Sequence, residues 1–510
     1  MASAPLAADA RERAPLLLGG YAALAEGAWM GAAQATEALE PARAALPARA
    51  RVRLAGLFRR ELGAAEAALV LMASFLCSAL LGAVRQVLFN AQFGAGPEAN
   101  AYYAAFRLPD TLFSLIAGGA LSGAMIPVLV AAEREEGEAA ARRLANLVLT
   151  ALLVVFAVAT LAGELLAPAF VRDLLAPGFD AQTSALTVSL TRLMLAQPLV
   201  LAVGSVATAV LNGRSRFLLT AISVAAHNIG LIAGILAARL DPALGIAGPA
   251  LGVVAGALLQ VLIVLPGLVG GGRRVRPAWD PRDARLREVV RLLIPNGLAV
   301  GVGYAGFIVD TAFASEAPQA AGLAALHNAW MLAGLPVALL GQAVGQAAFP
   351  RLAARAAAGE WARLRATLGL ALAAAVALAL PALLGLLVLG QTAIRLLFEH
   401  GRYDAAAGAL TYALLVPYAL GLPAYVATEV LTRGLVALRD TRTPLFTNSA
   451  QLAARAALMA ALLGRVGVLA IPIAFAAAAA LEAMALGAAL GLRLRRRVAL
   501  AAAPVRLSGG

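Results

Sequence analysis

Residues 366–390 read ATLGLALAAAVALALPALLGLLVLG, twenty-five positions without a charge, bounded by Arg363 and Arg365 on one side and Arg395 on the other. A helix rises 1.5 Å per residue, so this run reaches about 37 Å. The hydrocarbon core of a bilayer is roughly 30 Å thick. A helix that is apolar all round is buried in protein or lipid, and at this length a membrane span is the expected reading.

The pattern recurs in both directions from this run. Spans are expected at about 67–88, 103–130, 143–167, 185–211, 217–238, 245–268, 291–314, 322–349, 366–390, 406–436, 444–463 and 466–492. Apolar residues make up 62% of the 510 positions, and the mean hydropathy is +0.84. A soluble chain carries about 45–50% apolar residues. Charged residues are only 14% and cluster between the apolar runs. The fold class is therefore an all-α integral membrane protein of about twelve transmembrane helices.

The chain carries a net charge of +13 and no lysine. Nucleic acid is not the implied partner, because the arginines follow the loops rather than forming one patch. Counted over alternate loops they divide twenty-two to five. Cytoplasmic loops carry the excess of basic residues, so the expected topology is multi-pass with both termini cytoplasmic. Residues 1–66 read as a cytoplasmic N-terminal extension, with a start codon placed too far upstream as the alternative. Its longest uncharged apolar stretch, 14–25, is too short to span.

Cys77 is the single cysteine, which excludes an internal disulfide and a cysteine-based metal cluster. His227, His327 and His400 lie far apart. With no nucleotide loop, metal set or catalytic triad, neither an enzyme nor a cofactor is expected.

The longest basic loop follows the sixth span. It divides the chain into a six-helix lobe at 67–270, a basic cytoplasmic linker at 271–290, a second six-helix lobe at 291–492 and a basic cytoplasmic tail at 493–510. The halves show weak internal similarity. GGALSGAMIPVL (118–129) lies over GQAVGQAAFPRL (341–352), and LNGRSR (211–216) over LRDTRT (438–443). Transporters often place their substrate site between such repeats, so a central cavity is expected between the lobes.

Ionisable residues inside a membrane are functional candidates by default. Arg85, Arg107, Asp110, Asp310 and His327, with its neighbour Asn328, fall in the first two spans of each half. Facing a shared cavity, the arginines would suit a phosphate-bearing headgroup, which Arg binds in a bidentate way. Each has a structural alternative. Arg107 and Asp110 can pair along their helix, Arg85 can snorkel to the headgroups, and His327 can be a packing residue. Asp310 is deeper, and a lumen position is favoured for it. Glu429 is expected to face protein or water.

Four stretches carry a resemblance: FGAGPEANAYYAAFRLPD (93–110), LNGRSRFLLTAISVAAHN (211–228), LFEHGRYD (397–404) and RGLVALRDTRTP (433–444), supported by residues 80–85 and 335–352. The chain resembles the MurJ (MviN) lipid II flippases of the multidrug/oligosaccharidyl-lipid/polysaccharide exporter superfamily, in the family's order across 67–492. The resemblance implies two lobes around a V-shaped cationic cavity. It also implies alternating access that carries undecaprenyl-pyrophosphate-linked peptidoglycan precursor from the inner to the outer leaflet of a bacterial plasma membrane. Lipid II-like precursor, membrane lipids and cell-envelope synthesis proteins are the implied partners. Gly94, Gly96, Asn100, Asn212, Arg216, Asn228, Gly401, Asp440, Thr443 and Pro444 match family motif positions and are assigned structural roles.

The departures concern charge. Ala79 stands where the family usually has Arg, Gln86 and Asn100 where it has acids, Phe113 where a further Arg is expected, and Ala329-Trp330-Met331 where it has Ala-Asp-Arg. Arg85 is retained, and Arg107 sits where the family often has a basic residue. The chain also stops after the twelfth span, whereas many members carry two further helices that form a tail-binding groove. Export of another polyprenyl-linked glycan or amphipathic compound, or a transport-inactive scaffold, are the alternative functions.

Overall fold

The computed structural model describes residues 64–116, 120–266, 276–319 and 322–502. Most of the N-terminal extension, Gly118 and Gly119 of the internal repeat, Arg273 and Arg274 of the basic linker, and the last residues of the tail lie outside the described residues. Among those described, every regular element is a helix.

In chain order these are α1 (Ala64–Phe93), α2 (Pro97–Ile116), α3 (Ala120–Glu136), α4 (Glu138–Phe170), α5 (Ala181–Met194), α6 (Ala196–Gly213), α7 (Phe217–Leu240) and α8 (Ala247–Val264). Then follow α9 (Ala284–Glu316), α10 (Gly322–Pro336), α11 (Ala343–Ala357), α12 (Trp361–Leu397), α13 (Ala405–Ala437), α14 (Arg442–Val466) and α15 (Ala470–Ala502). The uncharged run at 366–390 lies within α12.

Nine stretches among the described residues are helical, long and apolar enough to cross a membrane. A tenth is α9, whose halves bend by 45° next to Pro295, where the lost N–H breaks the hydrogen-bond ladder. Length and hydropathy do not reach the expected twelve, and the shortfall lies in two places. Residues 442–497 pass as one stretch of 56 residues, yet at 1.5 Å per residue they would extend about 84 Å, nearly three membrane cores. They turn back instead: Gly467 has φ +59°, and α14 and α15 pack on one another. The expected second span runs over α2 and α3, with 117–119 outside the described residues, and α2 carries Arg107 and Asp110, whose charges lower its hydropathy and keep it out of the count.

The chain divides into two compact units. Among the described residues, unit 1 draws on 64–89, 105–171 and 184–301, and unit 2 on 90–104, 172–183 and 302–502. Unit 1 has a core of Met125, Leu144, Leu147, Phe156, Val206 and Val264 from α3, α4, α6 and α8. Its tightest helix pair is α7 with α8, where Gly230 and Gly234 meet Gly252 and Gly256 backbone to backbone. Lipid provides no hydrophobic drive between helices, so small residues that permit close van der Waals approach hold such pairs together. Unit 2 has a core of Leu364, Leu422, Val426, Val430, Leu435 and Leu486 from α12, α13 and α15.

The two halves repeat one turn. After α6, Arg216 N–H donates to the Leu211 carbonyl and Ser215 has φ +57°. After α13, Asp440 N–H donates to the Leu435 carbonyl and Arg439 has φ +62°. Both are helix ends closed by a left-handed residue and a six-to-one hydrogen bond. This corrects the sequence pairing: Leu211 corresponds to Leu435 rather than to Leu438. The left-handed position accepts Ser in one half and Arg in the other, so residue identity misaligns the turns.

Candidate functional site

Arg85 closes a stripe on α1. Ser74 donates to the Ala221 carbonyl (2.5 Å), the Asn228 amide donates to the Ser78 hydroxyl (3.0 Å), Gly82 abuts the Asn228 oxygen, and the Arg85 guanidinium donates to that oxygen (3.4 Å). The four positions are one turn apart, on one face of the helix. Away from this stripe the first part of α1 is bare, with Leu69, Met72, Phe75, Leu76 and Leu80 exposed, and its end from Gln86 to Phe93 is largely buried. One polar seam therefore joins α1 to α7 within unit 1. Arg85 is half-buried, its long bond to Asn228 leaves most donors of the fork available, and Asn228 is the motif residue that positions it. Gln86, where the family has an acid, is buried at 2% exposure.

Arg107 and Asp110 are half-buried one turn apart on α2, and Thr111 donates to the Arg107 carbonyl (2.6 Å).

Asp310, for which the sequence favours a lumen position, is buried against a cation. It is 4% exposed and forms an ion pair with Arg455 of α14, itself 4% exposed. Arg455 also donates to the Gly306 carbonyl (3.3 Å) and lies over the Phe475 ring, 4.2 Å from its centroid. Trp330 stands where the family motif carries charge. It packs against Tyr418 and Phe475, with ring centroids at 5.2 and 5.0 Å. The interior of unit 2 thus holds one compensated charge pair walled by aromatic rings.

His327 stacks on Tyr103 at 4.3 Å. Asn328 is fully buried within hydrogen-bonding reach of Tyr403, whose hydroxyl meets Thr411 at 2.5 Å. Burial pushes the Tyr403 phenol above its ordinary value, so it stays a neutral donor. Glu429 of α13 packs against Gly341 in the wide π-turn Val337–Gln342, near Glu482 of α15.

The motif glycines are explained by two interlocked loops of unit 2. Gly94 (φ +68°) lies against the Arg402 carbonyl, Gly401 (φ +61°) lies against the Ala91 carbonyl, and Arg402 N–H donates to Ala91 O (2.8 Å). A Cβ at either glycine would strike backbone. Gly96 follows in the same loop with open space around it. Asn100 is buried and its side-chain oxygen accepts from Ala324 N–H (3.0 Å), capping the start of α10. A neutral amide performs this role without the cost of burying a charge. In unit 1, Asn212 accepts from Thr220 (3.1 Å), and Arg216 precedes α7. In unit 2, Asp440 accepts from the backbone amides of Arg442 and Thr443 (both 3.1 Å), and Pro444 lies in the first turn of α14.

Arg455 was missed in the sequence, although it lies inside an expected span and met the criterion applied to the other candidates. Glu164 and Arg192 were missed in the same way: Glu164 is 4% exposed, and Arg192 donates to its carbonyl (3.2 Å) and lies 3.5 Å from its carboxylate.

A family model described as lipid II flippase MurJ matches residues 89–504. A probable lipid II flippase MurJ of Rhizobium meliloti (strain 1021) is 31% identical over 378 residues, covering 72% of this chain and 70% of the relative. The lipid II flippase MurJ of Burkholderia cenocepacia is 29% identical over 379 residues, covering 72% of each. Among solved structures, a lipid II flippase MurJ in an inward closed conformation superposes with a TM-score of 0.71 at 20% identity, covering 85% of this chain and 90% of the other. An inward-facing multidrug resistance MATE transporter of the MOP superfamily gives 0.70 at 14% identity, covering 83% and 96%. These superpositions concern the fold; the family rests on the sequence match, and by that match the chain belongs to the lipid II flippase MurJ family.

Proposed function

We propose that this protein flips lipid II, or a closely similar undecaprenyl-pyrophosphate-linked precursor, across the bacterial inner membrane for peptidoglycan synthesis. Family membership over residues 89–504 carries this reading. The chain acts by alternating access of two six-helix lobes with the boundary in the basic linker at 271–290, and both termini are cytoplasmic, as the arginine bias supports.

The headgroup is multiply anionic, so its ligands must be cationic and reachable. Arg85 meets both needs: it is half-buried and held by a single long side-chain bond to Asn228 (3.4 Å). Arg107 is the second candidate. Asp310 is assigned no contact with substrate, because Arg455 already neutralises it. His327 and Asn328 are assigned to packing within unit 2.

A second reading, a transport-inactive scaffold for envelope-synthesis proteins, is favoured by one observation. Gln86 and Asn100, neutral where the family is acidic, are buried, and Asn100 is committed to capping α10. The experiment is rescue of cells depleted of their own flippase. Growth on expression of this chain supports the flippase; normal membrane levels without growth support the scaffold.

A further inference from the structure

Unit 1 contains an apolar groove of about 310 Å³ between α2, α4 and α9, with Leu115, Leu152, Val155, Leu293, Ile294 and Leu298 on its walls. Val155, Ile294 and Leu298 are exposed, so the groove is open along one side. A water-filled face would leave these side chains wet; a hydrocarbon chain would cover them.

Charge stands at one end of the groove. Arg287, Arg291, Ile294 and Leu298 fall on one stripe of α9, spaced four, three and four residues apart. Neighbouring arginines are already paired: Arg285 with Glu135 and Glu136, and Arg143 with Asp280 and Asp283. Arg287 donates to the Arg282 carbonyl (2.9 Å), and no carboxylate among the described residues pairs with Arg291, which is exposed. Beyond Arg291 the next charge on α9 is Asp310, so Arg291 marks the edge of the hydrocarbon.

We infer that this groove binds an anionic phospholipid, with one acyl chain between α4 and α9 and the phosphate on Arg291 and Arg287. On the orientation proposed above, the lipid belongs to the inner leaflet. Size selects a phospholipid over the transported polyprenyl lipid. From Arg291, at the edge of the hydrocarbon, to Leu298 α9 rises about 10 Å, within the half of a roughly 30 Å core that one leaflet supplies. At the deep end Gly297 closes on the Leu115 carbonyl; a Cβ there would lie 2.6 Å from that oxygen. The groove takes the headgroup-proximal part of one acyl chain, whereas an eleven-unit polyprenyl chain is far longer. The bound lipid bridges α9 to α2 and α4 through its chain.

The test uses the purified full-length chain, delipidated in detergent and titrated with dioleoyl phosphatidylglycerol or dioleoyl phosphatidylcholine while its unfolding temperature is followed. Phosphatidylglycerol is expected to give a saturable rise that phosphatidylcholine does not match. In Arg287→Gln/Arg291→Gln the half-saturating concentration rises about tenfold or more, the loss expected for one charge-assisted hydrogen bond. Ala151→Trp, which fills the groove, abolishes the rise; should it fold poorly, the arginine variant decides. Equal responses to the two lipids, an arginine variant that responds like wild type, or displacement of phosphatidylglycerol by equimolar undecaprenyl pyrophosphate would each overturn the inference. The readout is binding, so a chain that fails to flip lipid II leaves this result standing.

Discussion

Asp310 and Arg455 form a buried ion pair that ties α9 to α14, each side chain about 95% shielded. Neither charge is tolerable alone in such a place. Breaking a buried pair by removing one partner costs about 3–5 kcal/mol, whereas replacing both with neutral groups can be nearly neutral. Arg455→Met should therefore destabilise the purified protein by about that amount, and Asp310→Asn/Arg455→Met should recover most of the loss. Thermal unfolding in detergent reads both. A single variant as stable as wild type would show that the pair is not desolvated as described.

Arg85 is predicted to separate function from stability. Its one described side-chain bond is long, at 3.4 Å, so Arg85→Ala should cost no more than about 1 kcal/mol. The same change should abolish rescue of flippase-depleted cells at unchanged membrane levels. Full rescue would reduce Arg85 to an interfacial anchor.

Gly94 and Gly401 are predicted to tolerate no side chain. Each combines a left-handed backbone with direct contact to the opposing loop. The conformation alone costs a non-glycine residue about 1–2 kcal/mol, and the clash adds to it. Gly94→Ala and Gly401→Ala should lower the unfolding temperature, and the double variant should lose little more than the worse single, because both disrupt one contact. Gly96→Ala, with open space around it, is the control and should be close to wild type.

The Asp440 turn should be sensitive to acid. Burial opposes its charge, but the Thr443 side chain and amide, the Arg493 guanidinium and the Arg442 amide outweigh it and hold the carboxyl below its ordinary 3.8. A lowered folded-state pKa contributes stability above the unfolded value, and that contribution is lost as pH falls through the folded value. The wild type should thus lose stability relative to Asp440→Asn only below about pH 4, with the difference between them constant from pH 5 to 7. Unfolding temperatures across that range measure it.

Sequence patterning revealed the fold because lipid imposes a coarse rule: long uncharged runs become helices, and α12 is the plainest case. It failed where a turn depends on backbone conformation: the repeated turn at Ser215 and Arg439 is set by φ, which unlike side chains can share. For the candidate site, chemistry was legible but partnership was not. Asp310 announced itself as a charge in a span, while its partner lies 145 positions away on α14, a distance no local spacing rule covers. Asn100 read as a lost acid; only the contact with Ala324 shows what the amide does instead.

The flippase role proposed above requires that this chain move a polyprenyl-pyrophosphate-linked headgroup between leaflets. It is tested most directly by reconstituting the purified protein into liposomes loaded with labelled lipid II and following exposure of the headgroup to an external modifying reagent. Protein-dependent exposure beyond the fraction already in the outer leaflet, lost in Arg85→Ala, is the expected result. Exposure no faster than in protein-free liposomes, from a protein shown to be folded and inserted, would contradict it.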